Sequence, residues 1–317
     1  MSRTPSLPGG TLRWFWPILV VCLGLSPAAG QQPTPPGPAV PLGVKLCRDV
    51  TFCNANNCNL NGNIAFPSQG KGPFPAVVII HGGGWLYGSY REYTLLATRL
   101  AEKGYVAMTA SYRLAPDHRF PAQLHDVKSA VRWLRAHAAQ YRVDKDRIGV
   151  FGHSAGGHLA CMLGTTCGHK DLEGNGGFKN ESSSVCCVVC CSGLTDLAHM
   201  HQCHKEVTFG FLTKAAVEKF VGAPPDKAPD SYAKASPITY AAKTSPPTLL
   251  IYGTKDSVVP IAQSQRLGEK LRTAGAPVEI LPVQDAAHDF NGEFARRAEA
   301  AMIDFFDRHL RGTKAQR

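Results

Sequence analysis

The sequence predicts an α/β fold, a mostly parallel sheet with helices on both faces, on three observations. Apolar runs of strand length at residues 76–80, 105–110, 148–151, 185–191, 249–252 and 278–283 alternate with segments of helical periodicity. The runs are continuous and not alternating, as strands covered on both faces require. One of them leads directly into Gly152-His153-Ser154-Ala155-Gly156 and a helix-like stretch, a G-x-S-x-G turn in its expected strand-to-helix setting. Crossovers between such strands are right-handed.

The chain of 317 residues, 44% hydrophobic and 18% charged, suffices for one large core or two modest ones. Residues 1–30 read as an export signal: Arg3 and Arg13 precede an apolar run at 14–25, and Ala28-Ala29-Gly30 offers small residues for cleavage. That run contains Pro17 and is short for a bilayer span, so stable membrane insertion after cleavage is not expected. Residues 31–41 hold five prolines and form an extended linker. Residues 42–317 form the folded domain.

Within it, residues 44–52 and 59–66 are expected to pair as an antiparallel hairpin, although six asparagines between 54 and 63 are poor strand formers. After the strand at 76–80 comes a helix at 93–103, a strand at 105–110 and a loop at 111–120. Pro121 then opens a helix over 122–140, with Leu124, Val127, Val131 and Leu134 at helical spacing. The G-x-S-x-G turn, a Gly/Asn/Ser-rich connection at 168–184 and the strand at 185–191 follow. Residues 198–223 are expected to form a small helical cap, and helices at 261–274 and 293–311 flank the last strand.

A serine hydroxyl is a weak nucleophile at neutral pH and needs a base, which in turn needs an acid to fix its tautomer. In an open α/β sheet such groups collect beyond the carboxyl ends of the strands. Ser154 stands on the sharp turn at a helix N-terminus, where amides favour developing negative charge. Asp256 follows the strand at 249–252 and His288 the strand at 278–283, with Asp196 as the alternative acid. Nucleophile, acid, base is the chain order of α/β-hydrolases. His81-Gly82-Gly83-Gly84 supplies a loop whose bare amides can approach an oxyanion, so Gly83, Gly84 and Ala155 are the expected donors, braced by His81. A phosphate-binding loop would need a following Lys-Ser/Thr, which is missing. Trp85 and Tyr87 come next and are expected to line the acyl pocket, with plain core packing as the alternative.

His81-Gly82-Gly83-Gly84-Trp85, Ser111-Tyr112-Arg113-Leu114-Ala115-Pro116, Phe120-Pro121-Ala122-Gln123-Leu124-His125-Asp126, the serine turn and Gly253-Thr254-Lys255-Asp256 together resemble the hormone-sensitive-lipase branch of the α/β-hydrolases. The similarity is strongest to the secreted bacterial group associated with acetyl-xylan and feruloyl esterases, and it covers about residues 44–310. It implies a secreted or periplasmic carboxylic ester hydrolase with an eight-stranded sheet, a small cap and no cofactor, acting on a small-molecule or polysaccharide-linked ester. The chain departs from the family pattern at Ala287 and Asp289, where glycines often flank the base. Peptide or arylformamide hydrolysis on the same residues is the alternative activity. A non-catalytic carbohydrate-binding fold would lack one triad member, and none is missing.

Other features point elsewhere less well. The net charge of +10 comes from scattered residues and forms no run, which argues against nucleic acid as a partner. Cys187 and Cys190 would face opposite sides of a strand and so cannot chelate together. Among Cys47, Cys53 and Cys58 the readings of one disulfide or free thiols both stand. His199, His201, Cys203 and His204 have ligand chemistry without ligand spacing, so no metal is expected.

Overall fold

The computed structural model describes residues 39–312; the expected export signal and most of the linker lie outside them. Eight strands, β1 (Val44–Ala55), β2 (Cys58–Pro67), β3 (Phe74–Ile80), β4 (Val106–Ala110), β5 (Val143–His153), β6 (Val188–Cys191), β7 (Thr248–Gly253) and β8 (Val278–Val283), form one sheet in the order β1-β2-β4-β3-β5-β6-β7-β8. Only the β1–β2 and β2–β4 pairings are antiparallel; from β4 to β8 every pairing is parallel.

Side chains of successive strand residues point to opposite faces, and that divides the core in two. Val78, Ile80, Val150, Cys190 and Leu250 pack with α2 (Ala122–Ala136), α4 (Ala155–Thr165) and α8 (Ala262–Ala274) through Leu124, Val127, Leu159 and Leu267, all in one cluster. Val77, Ile79, Phe151, Cys187, Val189 and Ile251 meet α1 (Thr94–Glu102) and α9 (Gly292–Phe306) through Leu96, Leu100, Phe305 and Phe306 in the other. Each fully buried aliphatic or Phe side chain contributes roughly 1.5–3 kcal/mol. Cys187 and Cys190 therefore serve separate cores as small hydrophobes. Cys47, Cys53 and Cys58 are all free thiols.

The asparagine-rich hairpin forms because its side chains pair across the strands. Asn54 Nδ2 donates to Asn59 Oδ1 at 2.7 Å, and Thr51 Oγ1 donates to Asn61 Oδ1 at 2.7 Å. Asn56 and Asn57, both at positive φ, make the two-residue turn between Ala55 and Cys58. The expected helix at 122–140 breaks at His137, leaving α3 (Ala138–Tyr141) as a separate turn. The last helix loosens from α to π geometry over Asp307–Arg311.

The cap extends beyond the expected 198–223. It comprises α5 (Leu197–Cys203), α6 (Gly210–Val221) and α7 (Pro229–Lys234), with a 3-10 turn at Pro237–Tyr240 returning the chain to the sheet. Pro224, Pro225, Pro229 and Pro237 interrupt the periodicity that would have extended the helical pattern. Among the described residues no helix is long and apolar enough to cross a membrane.

Candidate active site

The turn between β5 and α4 is held by two close backbone approaches. A side chain at Gly152 would stand 2.1 Å from the Gly156 carbonyl oxygen, and one at Gly156 would stand 2.2 Å from that of Ile80. With both places bare, Ser154 adopts φ 55 and ψ −123, a strained conformation for a residue with a side chain. Its amide donates to the Cys191 carbonyl at 2.8 Å, which ties the turn to the neighbouring strand.

Three strands bring the predicted residues together. His288, after β8, has Nε2 3.0 Å from Ser154 Oγ and Nδ1 2.8 Å from Asp256 Oδ2, with Asp256 placed by the loop after β7. A carboxylate can only accept, so Nδ1–H donates to it and Nε2 is left as acceptor for the serine proton. Asp256 Oδ1 accepts from the amides of Val258 and Val259 at 2.9 and 2.8 Å. Burial alone would raise the Asp256 pKa; the His288 charge, the His288 hydrogen bond and the two amides outweigh it and hold the carboxyl below its ordinary range. Burial likewise works against a charged His288, and the charge and hydrogen bond of Asp256, with the charge of Asp289, reverse that and raise its pKa above 6.5. Asp196 is occupied elsewhere: it caps α5 through the His199 amide at 3.0 Å and pairs with Arg266 at 2.8 Å.

The loop after β3 runs alongside. Gly83 lies at φ +103, and a Cβ there would fall 2.1 Å from the Tyr87 carbonyl oxygen, so glycine is required on both counts. Among the described residues, no protein acceptor takes the amides of Gly83, Gly84 or Ala155. His81 stacks on Tyr112 at 4.2 Å and 11°, and the Tyr112 hydroxyl shares its proton between the carbonyls of His81 and Gly82. Burial pushes the His81 pKa down to about 4, so it braces the loop as a neutral ring.

Trp85 corrects the expected pocket. It has no exposed surface; its ring stacks on Phe220 of α6 at 4.2 Å, inside the core beneath the cap. The indole turns inward because Trp85 takes φ 61, which reverses the chain after Gly84. Tyr87 is half-exposed, and burial followed by the Asp289 charge raises its pKa. Ala216 of α6 lies 3.4 Å from where a Gly84 Cβ would be, so the cap rests directly on this loop.

Sequence reasoning missed two residues of the site. His153 donates from Nε2 to the His288 carbonyl at 2.9 Å, so the residue before the nucleophile grips the backbone of the imidazole partner. Burial, then repulsion from His288, takes its pKa to about 3. Tyr112 is the other. His153 occupies the free position of G-x-S-x-G, where no spacing marks a role. Among the described residues no three side chains suited to a metal converge; in the 199–204 stretch His201 pairs with Glu218 at 2.7 Å.

Comparison with known proteins points to esterases. The BD-FAE family model matches residues 63–271. Esterase LipC of Mycobacterium tuberculosis is 32% identical over 69% of this chain and 54% of its own length. The chain spans between half and two thirds of the length of three curated relatives that it matches. A solved truncated form of a carbohydrate esterase from gut microbiota superposes with a TM-score of 0.76 at 30% identity, over 87% of this chain and all of the other. A butyrate-bound esterase from Thermogutta terrifontis gives 0.70 at 26%, over 87% of this chain and 97% of that one.

Proposed function

The chain belongs to the BD-FAE family, and from that membership we propose that it is an exported serine carboxylesterase releasing short acyl or aryl acyl groups through an acyl-enzyme. Acetyl or feruloyl groups on plant polysaccharide are its proposed targets, in line with the carbohydrate esterase it superposes on. One observation carries the reading: the Ser154 hydroxyl, the His288 imidazole and the Asp256 carboxylate stand in a single hydrogen-bonded line.

In the proposed reaction Ser154 Oγ attacks the acyl carbon while its proton passes to His288 Nε2. The carbonyl oxygen takes up the negative charge and faces the amides of Gly83, Gly84 and Ala155. Asp256 steadies the imidazolium. Nε2–H then protonates the departing alkoxide; a water gives a proton to His288 as its oxygen attacks the acyl carbon, and the acyl bond to Ser154 Oγ breaks as Oγ takes that proton back from Nε2, releasing the acid. Tyr87 at the mouth is the proposed contact for the substrate beyond the reacting bond.

Hydrolysis of short nitrophenyl esters tests this, beside an anilide carrying the same acyl group. Faster turnover of the ester is expected; the reverse preference favours the amidase alternative. The same assay reads the pH dependence. Only neutral His288 accepts a proton, so kcat/KM should rise with pH, with its midpoint above 6.5 because Asp256 and Asp289 favour the charged ring. A flat profile across the histidine range contradicts the assignment of His288 as base. The effect on folding has the opposite sign: a raised histidine pKa adds stability that is complete below 6.5 and is lost as pH climbs through the folded value.

A further inference from the structure

One buried imidazole takes no part in the chemistry above yet sits between the serine-bearing helix, the loop after β3 and the cap. His158 lies one helical turn after Ser154 on α4 and has no exposed surface. Its Nε2 is 2.7 Å from the Ala235 carbonyl, just beyond α7. A carbonyl only accepts, so Nε2 carries the proton and Nδ1 is left as a lone pair. The indole Nε1 of Trp85, which can only donate, lies 3.3 Å from that Nδ1. Both contacts therefore demand one tautomer, and burial, opposed by the Ala235 hydrogen bond, holds the ring neutral with a pKa of about 4.

What Trp85 does with this grip follows from its backbone. It directly follows Gly84 and sits at φ 61, a conformation a residue with a large side chain keeps only when its surroundings impose it. The surroundings are the indole contacts, namely the stack on Phe220 and the His158 ring edge-on at 5.0 Å and 87°, together with the backbone bond from Ala115 N to the Trp85 carbonyl at 2.8 Å. The turn itself is closed by the Leu86 and Tyr87 amides on the Gly83 carbonyl and braced by Tyr112; the indole contacts are what fix it relative to α4 and the cap.

We propose that His158 is a positioning residue of the oxyanion hole. It fixes the Trp85 turn to the helix that carries Ser154, so that nucleophile and donors share one rigid frame, and it anchors the cap's returning limb at Ala235 to the same frame. The role rests on the serine-esterase reading above.

His158→Leu, His158→Gln and His158→Asn in the full chain test it. Leucine removes both contacts; glutamine can reach Ala235 but offers no acceptor where Nδ1 stood; asparagine restores that acceptor. For a short nitrophenyl ester, the leucine and glutamine variants should lose about 10- to 100-fold in kcat, the range for a misplaced oxyanion donor, with KM within about twofold. The asparagine variant should recover most of the loss. A trifluoromethyl ketone, which forms an oxyanion on the serine, should bind His158→Leu more weakly by the factor lost in kcat/KM. Should His158→Leu fail to fold, Trp85→Phe keeps the stack and deletes the indole donor, and a kcat loss without a KM change is expected there too. Unchanged kcat and ketone affinity, or a loss confined to KM, overturns the proposal. A wild-type chain that hydrolyses no ester overturns the esterase reading itself, whereas an active wild type with an unaffected His158→Leu overturns this role alone.

Discussion

Ser154→Ala is expected to lower kcat by about a million-fold while leaving the fold intact. Removing the nucleophile of a serine hydrolase costs about as much as removing its whole triad, because base and acid have nothing left to activate. Alanine takes the same backbone conformation at the same strain, fits in the space of the hydroxyl, and keeps the amide bond to Cys191. The thermal midpoint should therefore stay within about a degree or two, a surface-like change of under ~0.5 kcal/mol. A variant retaining more than about one hundredth of the wild-type rate would place the nucleophile elsewhere.

Asp256→Asn should cost about 10⁴-fold in kcat near neutral pH, and its cause is the tautomer rather than the missing charge alone. Oδ1 of Asp256 accepts from two amides, Val258 and Val259, whereas Oδ2 faces His288. An asparagine must keep its carbonyl oxygen toward those two donors, which turns its NH₂ toward Nδ1. The ring can then meet it only with Nδ1 as acceptor and Nε2–H toward Ser154, a base already holding the proton it should receive. Steady-state kinetics checks the size of the effect, and ¹⁵N chemical shifts of His288 check the tautomer. A loss under tenfold would mean that another group orients the imidazole.

The sequence made these three side chains legible for one physical reason: each lies in the turn or loop just after a parallel strand, and parallel strands deliver their carboxyl ends to a common rim. The glycines around Ser154, and Gly83 and Gly84, were legible because contacts that exclude a Cβ, or a positive φ, leave a mark in composition. The contributions of Tyr112, His153 and His158 left no such mark, since each depends on what a ring meets across the fold and not on spacing along the chain. Trp85 misled for the same reason. Its position beside Gly84 suggests a pocket wall, but the sign of φ at that residue decides which way the indole turns. The asparagine-rich strand was judged by propensity, which the backbone ladder with β1 and the cross-strand Asn54–Asn59 and Thr51–Asn61 bonds overrode. The full extent of the cap was hidden because its later helices are short and separated by prolines.

The imidazole partner of Ser154 hangs from the outermost strand. β8 has β7 as its one neighbour in the sheet, and most of its residues are partly open to solvent, while β5 beneath the serine is flanked by β3 and β6. Sheet margins fray before centres do. Warming is therefore expected to displace His288 at this border before the interior melts, so that activity is lost at a lower temperature than the fold.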